Sequence, residues 1–206
     1  MTQNIPAKQC FTIGYGNSSI DLFLNILTNV GIDTILDVRS SPYSRFNPSF
    51  RRDNLENSLI RNNIGYRFMG NRIGGRYMDP ALLLPDGTVN YKKVQNTEQF
   101  KEGISQVLSI ISSKKKIALM CAEKEPERCH RFALISPVLQ AKGISVIHIR
   151  PDGKLQANED LEREMVVSFF DTSQVSITGT PVNYVGMMYD RVNRGIGPGK
   201  RKKHRG

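Results

Sequence analysis

The chain has 206 residues, 39% of them apolar and 23% charged, which describes a soluble globular protein of one large domain, or one domain with an extension, able to bury a real core. No apolar run reaches the roughly 18 residues of a membrane span, and the polar start "MTQNIPAKQ" is no secretion signal, so no membrane is expected among its partners. The net charge of +10 is concentrated: residues 39–76 hold eight arginines against Asp53 and Glu56, and residues 191–206 hold seven lysines and arginines and no acid.

Arginine's planar fork suits bidentate contact with phosphate or carboxylate, so an anionic ligand, such as a nucleotide or nucleic acid, is the expected partner. A solvated charged face is the plainer alternative. The three cysteines, Cys10, Cys121 and Cys129, are few and odd in number, which argues against a disulfide scaffold and for a reducing cytoplasm.

In chain order, residues 1–9 form an N-terminal arm. "CFTIGYG" (10–16) reads as a buried strand entering a glycine turn. Ser18 or Ser19 caps a helix whose Ile20, Phe23, Leu24, Leu27 and Val30 sit at helical spacing, and Gly31 closes it. "TILDV" (34–38) is a second buried strand, so the first unit is a parallel crossover. Asp53 with Glu56 three residues on predicts a capped helix ending at Gly65, before a strand "YRFM" (66–69). Residues 70–96, with glycine pairs and "PDG", read as a long irregular insertion.

A helix over about 97–113 follows, then strand "IALMC" (117–121) and a helix from about 127 to 141 kinked by Pro137. Strand "SVIHI" (145–149), the turn "RPDG" and a helix over 159–169 complete the domain, 10–170. Residues 171–206 form a C-terminal extension whose end, 191–206, has the composition of a disordered basic tail. The alternation predicts a single-domain α/β fold: an open, mostly parallel sheet of about five strands flanked by helices.

Ligands of such sheets bind beyond the carboxyl ends of the strands. "GYGNSS", "DVRSSPYSR" and "CAEKEPERCHR" should all arrive there. Gly14, Tyr15, Gly16 and Asn17 could cradle an anion at a helix N-terminus, although glycine serving only the tight turn explains them equally. Asp37, Arg39, Ser41 and Arg45 could hold a phosphorylated group, unless Asp37 and Arg39 pair to fix their own loop.

The third segment allows three readings. Cys121 is a nucleophile in an anion loop, but Glu123, Glu125 and Glu127 disfavour its thiolate. Zinc held by Cys121, Cys129 and His130 suffers from adjacent Cys–His ligands and the lack of a CxxC pair. The favoured reading makes Glu123 the acid, base or nucleophile, with His130 and Arg131 facing it and the cysteines serving as packing.

"LDVR" followed by a strand-terminal cysteine resembles rhodaneses. "TIGYGNSS", "DVRSSPYSRFNPSF" and "CAEKEPERCHR" together resemble the domain-of-unknown-function family 488, over roughly residues 10–150. That resemblance implies a single α/β domain and carries no established activity.

The expected function is a hydrolase or transferase acting on a nucleotide, a nucleic acid or another phosphorylated substrate. Asp37, Glu123 and His130 are its acid–base candidates, Cys121 is the thiol alternative, and Arg39, Arg45 and Arg131 are the anion binders. No metal and no cofactor is expected. The alternatives are a non-catalytic nucleic-acid-binding module and a cysteine-dependent sulfurtransferase or phosphatase-like enzyme.

Overall fold

A computed structural model of the chain describes residues 8–170 and 183–196. Strand β1 (Gln9–Gly14) leads to helix α1 (Ile20–Val30), which Ser19 caps by accepting from the Leu22 N–H. Gly31 ends α1 at φ 75°, a left-handed position that favours glycine. Strand β2 (Thr34–Asp37) and helix α2 (Arg52–Arg61) follow. The N-cap of α2 is Arg51, so Asp53 sits inside the first turn, where it favours the helix dipole but caps nothing. Asn63, at φ 57°, makes the exit turn expected of Gly65, and Gly65 itself begins β3 (Gly65–Phe68).

The stretch read as an irregular insertion contains helix α3 (Gly70–Ile73), a 3-10 turn (Pro80–Leu82) and helix α4 (Tyr91–Gln95). Helix α5 (Glu98–Ser112) comes next, capped by the Thr97 side chain, and leads to β4 (Ile117–Cys121). After a 3-10 turn at Pro126–Arg128, residues Arg131–Ile135 form a π-helical turn that runs into α6 (Ser136–Ala141). The expected kink is therefore a widened turn ahead of Pro137, in which the Ser136 N–H reaches back to the Arg131 carbonyl. Proline lacks an N–H and its ring crowds the carbonyl four residues earlier, so the preceding turn opens.

Strand β5 (Ser145–Ile149) pairs antiparallel with β6 (Leu155–Ala157), and helix α7 (Asn158–Phe169) follows. The sheet has six strands in the order β3-β2-β4-β1-β5-β6, all parallel except β6. The expected α/β class and open, mostly parallel sheet hold, with β6 added as a short edge strand.

Helix α8 (Tyr184–Ile196) corrects the reading of 191–206 as a tail from its first residue. Met188 and Val192 are buried in the core. Asn193 ties the insertion down, accepting from the Tyr91 N–H and donating to the Val89 carbonyl. Residues 197–206 lie outside the described residues. No helix among the described residues is long and apolar enough to cross a membrane.

Two apolar cores sandwich the sheet. Phe11, Ile13, Ile35, Ala118 and Met120 meet α1 and α2 on one face. Cys10, Leu36, Val38, Ile117, Leu119 and Cys121 meet α5, the π-helical turn, α7 and α8 on the other. Because side chains alternate across a strand, this assignment decides which polar residues can meet at the carboxyl edge. A buried polar line crosses the second face, where Thr12 Oγ1 lies 2.7 Å from His148 Nδ1 and Asn158 Oδ1 lies 2.9 Å from His148 Nε2.

Candidate functional site at the carboxyl edge

The loops after β1, β2 and β4 meet at one sheet edge, and there the expected site divides between the two faces. Asp37 shares the face of Ile35. It is fully buried and every acceptor position is in use: Oδ1 accepts from the Arg39 N–H and Nε, and Oδ2 accepts from Arg39 Nη2 at 2.6 Å and Tyr66 Oη at 2.8 Å. Arg39 also donates to the Phe50 carbonyl at 2.7 Å and reaches Tyr15 Oη. Tyr15 stacks on Phe50 with ring centroids 4.0 Å apart. Burial and the neighbouring Asp37 charge push the Tyr66 hydroxyl up, so it stays a proton donor to that carboxylate. This cluster is an internally paired loop brace.

The glycine turn is also committed to the fold. The amides of Tyr15 and Gly16 donate to the Cys121 and Ala122 carbonyls at 3.2 and 3.0 Å, tying the β1 loop to the β4 loop. Two donors that an anion cradle needs are thereby used. Asn17, Ser41 and Arg45 are exposed. The Arg45 guanidinium lies 5.7 Å from the ring centroid of Phe46, itself 93% exposed.

On the opposite face, β4 delivers Cys121 beside Cys129 and His130. Their ligand-type atoms all lie within 4.8 Å of one another. His130 Nδ1 is 3.7 Å from Cys121 Sγ and 3.6 Å from Cys129 Sγ. Its Nε2 lies 2.9 Å from the Val38 carbonyl. A carbonyl only accepts, so Nε2 carries a proton and Nδ1 is the ring atom that faces both sulfurs.

The backbone explains how adjacent residues reach one point. Cys129 is extended (φ −131°, ψ 146°) and His130 already helical (φ −60°, ψ −23°), so the chain turns between them. Gly75, from the insertion, lets the imidazole in, since a Cβ there would lie 2.7 Å from His130 Cγ.

Cys129 donates a hydrogen bond to Cys121, and with the His130 imidazole and Arg131 guanidinium beside it this holds the Cys121 thiol well below its ordinary range. Burial pushes Cys129 the other way, and the Cys121 charge reinforces that shift. The acidic neighbours expected to oppose a thiolate are directed elsewhere. Glu125 and Glu127 both pair with Arg150, at 2.9 and 3.0 Å, and the Glu123 side chain is exposed.

Arg131 is 1% exposed. Its Nη2 donates to the Glu123 and Lys124 carbonyls, both at 2.9 Å. Its Nε and Nη1 have no acceptor among the described residues. Gly14 makes room for this guanidinium, because a Cβ there would lie 2.6–2.7 Å from its terminal nitrogens.

A family model described as a domain of unknown function, DUF488, matches residues 19–137, more than half of the chain. The chain belongs to the DUF488 family. No curated protein and no solved structure matches it. The DUF488 match is narrower than the resemblance over 10–150. It excludes Gly14, Tyr15, Gly16 and Asn17 and includes Asp37, Arg39 and the whole of 121–131.

Cys129 entered the sequence reading only as a candidate zinc ligand, and three participants were passed over: Gly75 against His130, Tyr66 on Asp37, and Tyr91, whose hydroxyl burial and the nearby thiols push upward. The Gly74–Gly75 pair was the visible signal for the first. The tyrosines carried none.

Proposed function

We propose that this protein is an enzyme of the hydrolase or transferase type that acts on an anionic substrate, a nucleotide, a nucleic acid or another phosphorylated compound. Cys121, Cys129, His130 and Arg131 are its reacting centre, and the reducing cytoplasm is its setting, where three free thiols persist. One observation carries the reading: two cysteine sulfurs flank the Nδ1 of an anchored imidazole, next to a buried guanidinium two of whose nitrogens have no acceptor among the described residues. Such a guanidinium stabilises charge that develops on a transferring oxyanion far better than one in water.

The carboxylates fit this role less well. Asp37 has no free acceptor position, and Glu123 has no burial to hold its geometry. The test is turnover of a panel of phosphomonoesters, phosphodiesters and nucleotides by the full chain. Cys121→Ser and His130→Ala should each lower the rate at least about 100-fold. Glu123→Gln should stay within about twofold, and its loss of activity would reject the assignment.

The nucleic-acid-binding alternative rests on a separate surface. Tyr43 and Phe46 are 61% and 93% exposed, with the guanidiniums of Arg51 and Arg45 at 4.9 and 5.7 Å from their ring centroids. Exposed aromatics flanked by arginine are the pattern that stacks single-stranded bases. Phe46→Ala should weaken binding of a short single-stranded oligonucleotide about 5-fold or more, without changing thermal stability. An unaltered affinity would remove that surface from consideration.

A further inference from the structure

We propose that Cys121, Cys129 and His130 bind one divalent ion of the zinc class and leave one coordination position open to an anion. This rests on the reading of the trio as the reacting centre and names its cofactor.

Two of the three edges between the ligand atoms already match a tetrahedron, and all three atoms lie within 4.8 Å of one another. With Zn–S of about 2.3 Å and Zn–N of about 2.05 Å, the N···S edge of a tetrahedral site is about 3.6 Å. The two Nδ1···Sγ separations are 3.6 and 3.7 Å. An ion can therefore enter by drawing the two sulfurs to the S···S edge of about 3.8 Å that the same bond lengths give.

The support around the ligands points the same way. A metal-binding histidine donates its other ring N–H to a carbonyl or carboxylate, which fixes the tautomer and the ring plane. His130 Nε2 is so held by the Val38 carbonyl at 2.9 Å, leaving Nδ1 as the donor atom. Each ligand also stands on ordered backbone. Cys121 closes β4 in register with Gly14, the Cys129 N–H closes the 3-10 turn on the Pro126 carbonyl, and Gly75 packs the imidazole. Rigid elements of this kind give a site its precision.

Donor chemistry selects the ion. Two thiolates and an imidazole favour zinc, or cobalt as its spectroscopic substitute, over magnesium or calcium, which need oxygen. Both cysteines bind as thiolates, and the two together cancel the charge of the dication. Arg131 beside them adds one positive charge, so the fourth position favours an anion: hydroxide, or an oxygen of a phosphorylated substrate. Cys121 and His130 keep 6% and 7% of their surface exposed against 1% for Cys129, which puts the solvent side of the cluster at the first two.

The experiment uses the full chain, reduced, stripped with a chelator and titrated with cobalt(II) under anaerobic conditions. The expected result is one ion per chain. It should show the intense visible bands of tetrahedral cobalt and a near-ultraviolet thiolate-to-cobalt charge-transfer band, both displaced by zinc. Cys121→Ser, Cys129→Ser and His130→Ala should each weaken binding at least about 100-fold. Where a variant misfolds, the wild-type chain provides a second readout. Zinc should protect two of its three thiols from alkylation, and a chelator should expose them.

A pale octahedral spectrum, no saturable binding, alkylation indifferent to zinc, or a Cys121–Cys129 disulfide recovered in place of a metal site would each overturn the proposal. Its failure is separable from that of the functional reading. Absent metal binding with turnover still dependent on Cys121 and His130 removes the ion and keeps the enzyme. A cobalt site without turnover of any anionic substrate does the reverse.

Discussion

His148 should make the fold acid-sensitive by a calculable amount. Burial, with the Arg131 and Arg150 charges nearby, pushes its pKa down from 6.5 to about 3. Both ring nitrogens are already engaged, Nδ1 with Thr12 Oγ1 and Nε2 with Asn158 Oδ1, so the folded protein holds the neutral ring. A folded-state pKa below the unfolded one means that the unfolded chain binds the extra proton. Stability is therefore fully present above pH 6.5 and is lost as pH falls toward 3.

Between pH 7.5 and pH 5 this one group should remove about 2 kcal/mol. That figure depends almost entirely on the unfolded pKa, since any folded value below about 4 gives nearly the same answer. The assay is urea unfolding of the wild type and His148→Gln at both pH values. The variant should be less stable at pH 7.5, yet its drop on acidification should be smaller than the wild type's by about 2 kcal/mol. An equal drop in both proteins would refute the claim that a buried neutral imidazole sets the slope.

Four further outcomes follow from the same structure. Asp37→Asn leaves the buried Arg39 guanidinium without its counter-charge and should cost about 3–5 kcal/mol by denaturant unfolding; a neutral result would mean that the pair is not a brace. Gly75→Ala should push the His130 ring aside and weaken cobalt binding about 10–100-fold while costing about 1–3 kcal/mol of stability, and unchanged cobalt binding would show that His130 is not a ligand. Removing residues 197–206 should leave thermal stability intact and reduce the salt dependence of polyanion binding by up to about 0.9 per lost charge. Removing 191–206 should also destabilise the fold, because Val192 and Asn193 go with it.

Much of the scaffold was legible because periodicity reports burial directly. The five parallel strands, α1, α5 and α7 all stand where apolar spacing put them. Strand β6 was not, since three residues after "RPDG" carry no alternation to read. Helix α8 hid behind a basic composition that describes only part of its surface. At the edge, the sequence named the three segments that meet but not their faces. Asp37, the last residue of β2, and Val38, the next, lie on opposite faces of the sheet, and Val38 is the residue whose carbonyl meets His130.

The adjacent Cys129 and His130 looked unsuited to one ion, because their convergence depends on an extended-to-helical switch that no spacing rule encodes. Glutamate density after Cys121 suggested a hostile field. The field is set by where charges point, and Arg150 draws two of the three carboxylates away.

The claim that the centre is the thiol–imidazole cluster, and not the nearby carboxylates, is tested most directly by one side-by-side rate measurement. Cys121→Ser and Glu123→Gln are compared with the wild type on the best substrate from the phosphoester panel, with circular dichroism confirming that both are folded. Activity lost about 100-fold in Cys121→Ser and kept within about twofold in Glu123→Gln is the expected pattern. The inverse pattern would contradict the assignment and return the chemistry to Glu123.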